Sequence, residues 1–419
     1  FQPTVAFDGT DDRLSLGDLS EIKSTSGTGR YSMFAIGLRN DGTTNYALGS
    51  TGGTTNQDLH FGYRSSTVAT IAHWGNDMDV TVNAFDSPSS PYLLFADYDG
   101  TGRTIEELRS DDFNRNTDAN TTDLSGTQTN YIGDLASVGN YNGAISEVLV
   151  YNSSLTDLEK LRIYSYFSIK YGLTLPQDND GDATTNETIS GVVAEGDLVD
   201  SDGNIIWDES NGNATYHNGM AGIGRDDAAC LNQKQSTSST DGSILTIGLG
   251  SVETDNASNS DIHGNQEFLI WGHDDATTAQ ATAETVDVPV TISERMERVW
   301  RVEDTGNVGE TEIQFDLAGL GYGTNAEDFR LMVASSGSGG TMAGATLIDG
   351  ATFNGTTLSF SGIDLADGEY FTLGVVAQCG PGGVNTNLAL WLKGNEEVFS
   401  DAGTTLATDG DDASQWNDQ

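Results

Sequence analysis

The clearest ligand pattern in the sequence is a run of alternating acidic residues. Asp178, Asp180 and Asp182 stand at every second position around a glycine, and Glu187 follows five residues later. Carboxylate oxygens on a flexible turn are the ligands that Ca²⁺ prefers. In the helix–loop–helix calcium pattern the glycine and Glu187 fit two ligand-loop positions, but the first position is Pro176, which offers no side-chain ligand. Two interpretations are therefore left open: a calcium loop between domains, and a solvated acidic linker.

A second group of residues has the composition of a sugar-binding rim. Trp74 is flanked by His73, Asn76 and Asp77, and glycan binding requires an exposed aromatic ring beside polar donors and acceptors. The alternative is that Trp74 packs in the core or at the edge of a sheet. The remaining tryptophans lie on strand-like runs and are predicted to be core residues: Trp207, Trp271, Trp300, Trp391 and Trp416.

The sequence contains no recognisable catalytic motif. Two histidines beside Asn or Asp, His217 and His273, are predicted to be solvated, and no pair has zinc-ligand spacing among His60, His73, His217, His263 and His273. No nucleophile elbow, P-loop or dinucleotide fingerprint occurs. A Ser/His/Asp triad assembled from distant residues would leave no local pattern. We predict that the chain is not an enzyme.

Charge and composition restrict the partners. The chain has 63 Asp and Glu against 18 Lys and Arg, a net charge of −45, which repels phosphate backbones and anionic lipid. No apolar run reaches the ~20 residues that a membrane-spanning helix needs. Nucleic acid and a membrane span are therefore excluded, and the acidic surface favours an extracellular location. The two cysteines, Cys230 and Cys379, are too few for a disulfide scaffold, and their pairing is left open.

The elements that position these residues are predicted to be almost entirely β. Short alternating runs separated by Gly, Asp and Asn turns indicate antiparallel sandwiches. One helix is predicted over 155–170, capped by Ser154, with a single buried stripe and a stop at Gly172. The predicted strands are Thr4–Phe7, Tyr31–Leu38, Leu59–Tyr63, Tyr92–Tyr98, Ala144–Tyr151, and then Asn204–Trp207, Ile244–Leu249, Glu267–Trp271, Arg298–Val302, Glu312–Leu317, Arg330–Val333, Thr357–Phe360 and Tyr370–Val375.

Two stretches of the sequence resemble known families. Phe7-Asp-Gly-Thr-Asp-Asp12, Tyr141-Asn-Gly-Ala-Ile-Ser-Glu-Val-Leu-Val-Tyr151 and Leu155-Thr-Asp-Leu-Glu159 resemble the laminin-G-like branch of the concanavalin A-like lectin/glucanase superfamily. Ile205-Ile-Trp-Asp208, Ala221-Gly-Ile-Gly-Arg-Asp-Asp227 and Arg298-Val-Trp-Arg301 resemble an uncharacterised β domain. That domain commonly follows the first in large repetitive surface adhesins of gliding-type bacteria (Bacteroidota).

This resemblance implies a domain plan. It comprises a concanavalin A-like sandwich over 1–175 that lacks its opening strands and carries one edge helix, an acidic linker over 176–189, a second immunoglobulin-like or jelly-roll domain over 190–379, a linker over 380–387, and the opening strands of the next sandwich over 388–419. The segments Leu388–Lys393 and Ser414–Gln419 look like those opening strands.

The resemblance also bears on chemistry and function. The Glu-x-Asp-x-x-Glu strand of the superfamily's glucanases is missing; Glu195-Gly-Asp197-Leu-Val-Asp200 comes nearest and is interpreted as chance in so acidic a chain. Asp8, Asp11 and Asp12 lie where laminin-G-like domains can hold calcium. We predict a non-enzymatic repeat unit of a secreted cell-surface filament or adhesin, exported by type IX secretion, that assembles head to tail with neighbouring copies and mediates attachment, with Ca²⁺ as the candidate cofactor. The alternative is a carbohydrate-binding lectin module that binds glycans.

Overall fold

The protein is described by a computed structural model. It describes residues 2–23, 29–50, 52–85, 91–109, 112–121, 123–135, 139–180, 182, 184–240, 242–282, 286–376, 390, 392 and 398–417. Cys379, Trp391, the linker 380–387 and most of the predicted strand Leu388–Lys393 lie outside these residues, and Cys230 is exposed. Within the described chain, no helix has both the length and the apolar character needed to cross a bilayer.

The first sandwich has two six-stranded antiparallel sheets. Sheet 1 has the order β1-β12-β3-β8-β9-β10, and sheet 2 has the order β2-β11-β4-β5-β6-β7. Alternate side chains of the facing sheets, among them Tyr31, Phe61 and Tyr92, form the buried core. The strands are β1 Val5–Asp8, β2 Leu14–Gly17, β3 Tyr31–Arg39, β4 Asn45–Ser50, β5 His60–Ser65, β6 Val68–Ala72, β7 Asp77–Thr81, β8 Tyr92–Tyr98, β9 Arg103–Arg109, β10 Asp112–Asp118, β11 Asn130–Ile132 and β12 Asn142–Tyr151.

The two lateral sides of this sandwich differ. On one side β10 and β7 are bridged by side chains, because Asn116 Nδ2 donates to the carbonyl of Asp79 (2.7 Å) and Asn83 Nδ2 donates to the carboxylate of Asp112. On the other side β1 and β2 end their sheets, and neither pairs with a further described strand. We call this second side the open side.

One helix follows the first sandwich, as predicted. It spans α1 Asp157–Tyr171, and its N-cap is Thr156 rather than Ser154. Thr156 forms a capping box with Glu159: Glu159 N–H donates to Thr156 Oγ1 (3.3 Å), and Thr156 N–H donates to Glu159 Oε2 (2.9 Å). Gly172 ends the helix in the left-handed conformation (φ 65°).

The second sandwich pairs a nine-stranded sheet with a five-stranded one. Sheet 3 runs β18-β17-β21-β24-β30-β23-β22, with β26 on β30 and β27 on β26; sheet 4 runs β19-β20-β25-β29-β28. The strands of this half, with three separate two-stranded pairs (β13 with β14, β15 with β16, β31 with β32), are β13 Thr188–Ser190, β14 Val193–Ala194, β15 Leu198–Val199, β16 Ile205–Trp207, β17 Asn218–Asp226, β18 Leu231–Gln233, β19 Gln235–Thr237, β20 Leu245–Leu249, β21 Glu267–His273, β22 Gln280–Thr282, β23 Ile292–Met296, β24 Trp300–Thr305, β25 Thr311–Asp316, β26 Phe329–Ala334, β27 Thr346–Ile348, β28 Thr352–Asn354, β29 Thr357–Ile363, β30 Tyr370–Val376, β31 Val398–Phe399 and β32 Gln415–Trp416.

The all-β class with two sandwiches is confirmed. Trp271 and Trp300 lie in the core of the second sandwich, where Trp300 stacks on Phe371 with ring centroids 5.8 Å apart. Trp207 is also buried, as predicted, but Trp416 is exposed on the short β31–β32 pair. The prediction for Trp416 is therefore wrong, because this pair has no described sheet to pack against. Short helical turns complete the chain at Ser20–Ile22, Glu209–Asn213, Ala214–Tyr216, Ala326–Asp328 and Ser336–Ser338.

A third hydrophobic cluster joins the two sandwiches around the helix. Phe34 and Phe95, on the outer face of sheet 1, lie against each other with ring centroids 4.8 Å apart. They pack against Tyr164 and Phe167 of α1 with centroids 6.0–6.2 Å apart. The same cluster continues into sheet 3 through residues that include Met220, Phe268 and Ile270. The helix expected at a sandwich edge is therefore buried between the outer faces of two sheets. We call this cluster the shared core.

Truncation of Phe167 tests whether the shared core couples the two sandwiches. Phe167 is fully buried, so Phe167→Ala is expected to lower the free energy of unfolding by ~3–5 kcal/mol. Tryptophan fluorescence, dominated by the buried tryptophans of the second sandwich, and far-UV circular dichroism should shift together in a denaturant titration. Val290→Ala, at a fully exposed site, should leave both curves unchanged. Separate transitions of the two probes in the unmodified chain would contradict the coupling.

Candidate functional site

Trp74 lies on the outer face of sheet 2, in the turn between β6 and β7. Its backbone is left-handed (φ 50°), a conformation that costs a bulky residue ~1–2 kcal/mol and that concentrates at functional sites. Its indole is half-buried; it meets the ring of His60 edge-on at 5.2 Å and lies against the backbone at Gly53. The ring therefore has one supported side and one side open to solvent.

Polar groups surround this ring on the same face. Arg64 forms an ion pair with Asp77 (2.8 Å), and the ring of Tyr46 lies 5.5 Å from that of His60. The Nε2 atom of His60 is buried and has no hydrogen-bond partner among the described residues. We call Trp74, His60, Tyr46, Arg64 and Asp77 the sheet 2 patch. It presents an aromatic surface with a donor or acceptor on each side, as a sugar site requires.

The structure corrects two of the predicted rim residues. His73 is completely buried, and its Nε2 hydrogen-bonds to the hydroxyl of Tyr31 (2.8 Å) inside the core. Asn76 is held by structural contacts: Arg103 donates to its carbonyl (2.7 Å), and its side-chain amide donates to Asn56. Both therefore shape the turn that carries Trp74. Only Trp74 and Asp77 of the predicted set face the patch.

Sequence reasoning missed His60, Tyr46 and Arg64. A signal was present, because His60, Gly62 and Arg64 alternate with Phe61 and Tyr63 along β5, and alternation places the polar members on the outer face. What the sequence does not reveal is that β5 lies beside β6, which brings this face next to Trp74.

Burial sets the protonation state of His60. Desolvation lowers the pKa of His60 to about 4, against the opposing effect of the Asp77 carboxylate. The imidazole is therefore neutral at pH 7 and can accept or donate one hydrogen bond to a ligand. The same effect lowers the pKa of His217 and of His263 to about 4, and that of His273 to about 3. His217 and His273, predicted to be solvated, are buried.

The second predicted site, the acidic loop, does converge in space. Carboxylate oxygens of Asp178, Asp180 and Asp182 lie within 4.8 Å of one another, and Asp180 and Glu187 form a second such group with Glu195. Glu195 was not predicted as a ligand, although it was noticed as part of an apparent chance motif. Asp8, Asp11 and Asp12 also converge, but all three are exposed.

The protein is an all-β unit of two antiparallel sandwiches that are joined through a buried helix. An aromatic patch lies on the outer face of sheet 2. The chain belongs to the family described as a domain of unknown function, DUF8202, whose model matches residues 159–369, half of the chain. That segment begins inside α1 and ends just before β30, so the matched region covers most of the helix and most of the second sandwich. Comparison with curated proteins finds no match.

Solved structures similar to the chain are themselves β domains. A heptameric pentraxin of Limulus polyphemus shares 13% identity over 36% of this chain and 77% of its own (TM-score 0.26). The CBM40 of a Ruminococcus gnavus sialidase, bound to α2,3-sialyllactose, shares 11% sequence identity over 38% of this chain and 94% of its own (TM-score 0.28). Domains LG4-5 of mouse laminin α1 share 12% sequence identity over 37% of this chain and 42% of their own (TM-score 0.28). At these scores the similarities carry no argument about function.

The pKa of His60 gives a measurable pH dependence. A histidine whose folded pKa lies below its unfolded value near 6.5 contributes stability above pH 6.5 that is lost as the pH falls toward 4. His60→Gln should therefore reduce the loss of unfolding free energy between pH 7 and pH 4 by up to ~3 kcal/mol. Denaturant titrations at a series of pH values measure this difference. Equal slopes for the variant and the unmodified chain would show that His60 is not held neutral.

Proposed function

We propose that this chain is a non-enzymatic repeat unit of a secreted cell-surface filament or adhesin, in which units join head to tail. In this arrangement residues 398–417 of one unit, the tail, add to the open side of the first sandwich of the next unit. One observation carries the proposal: apolar side chains that point toward the core at the open side are exposed to solvent.

The register of the edge strands supports this directly. Val5 lies opposite Ile145, and Leu14 lies opposite Ile132, so each shares a face with a residue that packs against the core. Yet Val5 is 51% exposed and Leu14 48%, whereas Ile145 is 4% exposed. A sandwich with exposed core-facing side chains and an unpaired edge strand can bind further strands at that edge.

The tail has complementary properties. Among the described residues, its strands β31 and β32 pair with each other and with no strand of either sandwich, and a lone two-stranded pair is marginally stable in water. Leu406 and Trp416 are large exposed apolar residues of this segment. Strand addition to β1 or β2 would bury these side chains together with those of the open side and would satisfy the free backbone groups of both edges.

A repeat unit that spans distance must also be rigid, and the shared core supports this requirement. Because α1 is packed on both sides, the two sandwiches present one continuous hydrophobic interior rather than a flexible joint. The open side and the end of β30, after which the chain continues toward the tail, would then be held at a fixed separation.

The high charge sets the conditions under which units associate. Two copies of a chain with net charge −45 repel each other over about 10 Å at 0.1 M salt, and over roughly 4 Å near 0.5 M. Association driven by apolar strand addition should therefore strengthen with salt, whereas association through ion pairs would weaken.

A complementation experiment tests the head-to-tail contact. Leu14→Ser with Leu16→Ser removes the acceptor surface, and Leu406→Ser with Trp416→Ser removes the donor. In sedimentation velocity at about 0.5 M NaCl the unmodified chain should form species of increasing length and each variant should be monomeric. An equimolar mixture of the two variants retains one intact interface per pair, so it should form a dimer and stop there.

The matched control removes apolar surface elsewhere. Val192 and Val290 are exposed, and the double variant Val192→Ser, Val290→Ser should assemble like the unmodified chain. A mixture of the acceptor and donor variants that remains monomeric would refute strand addition, as would association that weakens with salt.

A second function is favoured by the sheet 2 patch. Trp74 is half-buried and left-handed, and it lies beside His60, whose Nε2 has no hydrogen-bond partner among the described residues. This arrangement supports glycan binding as an additional role of each unit. Because Asp77 and the net charge repel anions, we expect neutral sugars rather than sialylated ones. In a glycan array, Trp74→Ala should weaken binding at least about tenfold, Trp74→Phe should retain part of it, and Trp416→Ala should have no effect. Undiminished binding by Trp74→Ala would exclude the patch.

A further inference from the structure

The acidic loop folds against a buried carboxylate that has no cationic partner among the residues that the structure describes. Glu195, between β14 and β15, is 4% exposed, and its Oε2 atom has no hydrogen-bond partner among the described residues. Its backbone N–H donates to the carbonyl of Glu187 (2.9 Å), which holds the end of the loop over it. The carboxylate oxygens of Asp180, Glu187 and Glu195 lie within 4.8 Å of one another.

This arrangement is electrostatically unfavourable by itself. In the part of the chain that the structure describes, no lysine or arginine forms an ion pair with Asp180, Glu187 or Glu195. Burial raises the pKa of Glu195; the carboxylates of Asp180 and Asp178 raise it further, and backbone N–H groups oppose them. A buried carboxylate with an unused oxygen next to other carboxylates either takes up a proton or is stabilised by a positive charge beside it.

We propose that Asp180, Glu187 and Glu195 bind a divalent cation, with Asp178 and Asp182 at the rim, and that the cation is Ca²⁺. Oxygens within 4.8 Å of one another fit around one ion at 2.3–2.6 Å, the distance typical of Ca²⁺, and the set contains neither the nitrogen nor the sulfur ligands typical of zinc. The flexible loop suits the irregular coordination of Ca²⁺ better than the octahedron of Mg²⁺.

The site lies at the junction of the two sandwiches. Arg115 of β10 donates to the carbonyl of Asp180 (2.7 Å), which ties the loop to the first sandwich, while Glu195 belongs to the segment that leads into the second. A cation would therefore connect both halves next to the shared core. This inference is independent of head-to-tail assembly, since it concerns a single unit.

The experiment uses the full chain, freed of metal by a chelator and studied at about 0.15 M NaCl to suppress non-specific binding. Addition of Ca²⁺ alone should raise the melting temperature by several degrees, and calorimetry should show a site that Mg²⁺ fills more weakly. Glu195→Gln removes the charge without changing the shape. It should leave the metal-free melting temperature unchanged or higher, because it relieves repulsion, and it should abolish the response to Ca²⁺.

Two further variants keep the test decisive. Glu310→Gln makes the same chemical change at an exposed site and should retain the full response. Asp180→Asn, also exposed, should reduce the response without impairing folding. The proposal is overturned if Ca²⁺ has no effect on the unmodified chain, if Glu195→Gln responds as Glu310→Gln does, or if Asp180→Asn keeps the full response.

Discussion

The interaction on which the structure depends is the burial of α1 between two sheets, and that burial depends on a carboxylate. Glu106 projects from the outer face of sheet 1 and is completely buried. It accepts hydrogen bonds from Lys160 Nζ (3.0 Å) and Tyr164 Oη (2.5 Å) of the helix, and Arg115 lies 3.4 Å away. A buried charge is tolerated only when it is paired and hydrogen-bonded. These hydrogen bonds and ion pairs of Glu106 therefore fix the position of the helix on the sheet, where a purely apolar contact would allow the helix to slide.

Once the helix is fixed, the remainder of the architecture follows. Its other side supplies apolar surface for sheet 3, so the second sandwich packs onto the first through the helix. The acidic loop leaves the end of the helix and returns over Glu195, and Arg115, which approaches Glu106 with its Nε, holds the same loop through Asp180. One guanidinium thus connects the helix anchor to the candidate cation site. The site and the shared core are parts of one junction.

Much of the fold could be predicted from the sequence, because short alternating strands and a capped helix are local features. The burial of α1 on two sides could not, since its buried residues include Lys160, Ser165 and Ser168, polar residues whose burial depends on partners outside the helix. Ser165, for example, accepts from the N–H of Val199 (2.9 Å). The same limit applies to the sites. Glu195 joins the acidic loop only because β14 closes on it, and His60 approaches Trp74 only through the pairing of β5 with β6. The prediction that Trp416 is a core residue was wrong for the converse reason. Its sequence is strand-like, but its strand has no further sheet to pack on among the described residues.

The charge of −45 constrains how such a protein can bind anything. In the proposed head-to-tail assembly, attraction between copies cannot come from the general field, which is repulsive, so it would have to come from short-range burial at the open side and the tail. The open side satisfies this condition: its exposed side chains on β1 and β2 include Val5, Leu14 and Leu16. Within a unit the same charge makes buried carboxylates costly unless each has a countercharge or enough hydrogen-bond donors. Glu106 has Lys160 and Arg115; Glu195 has none among the described residues, and this asymmetry between two buried carboxylates of one junction is the strongest physical reason to place a cation beside Glu195.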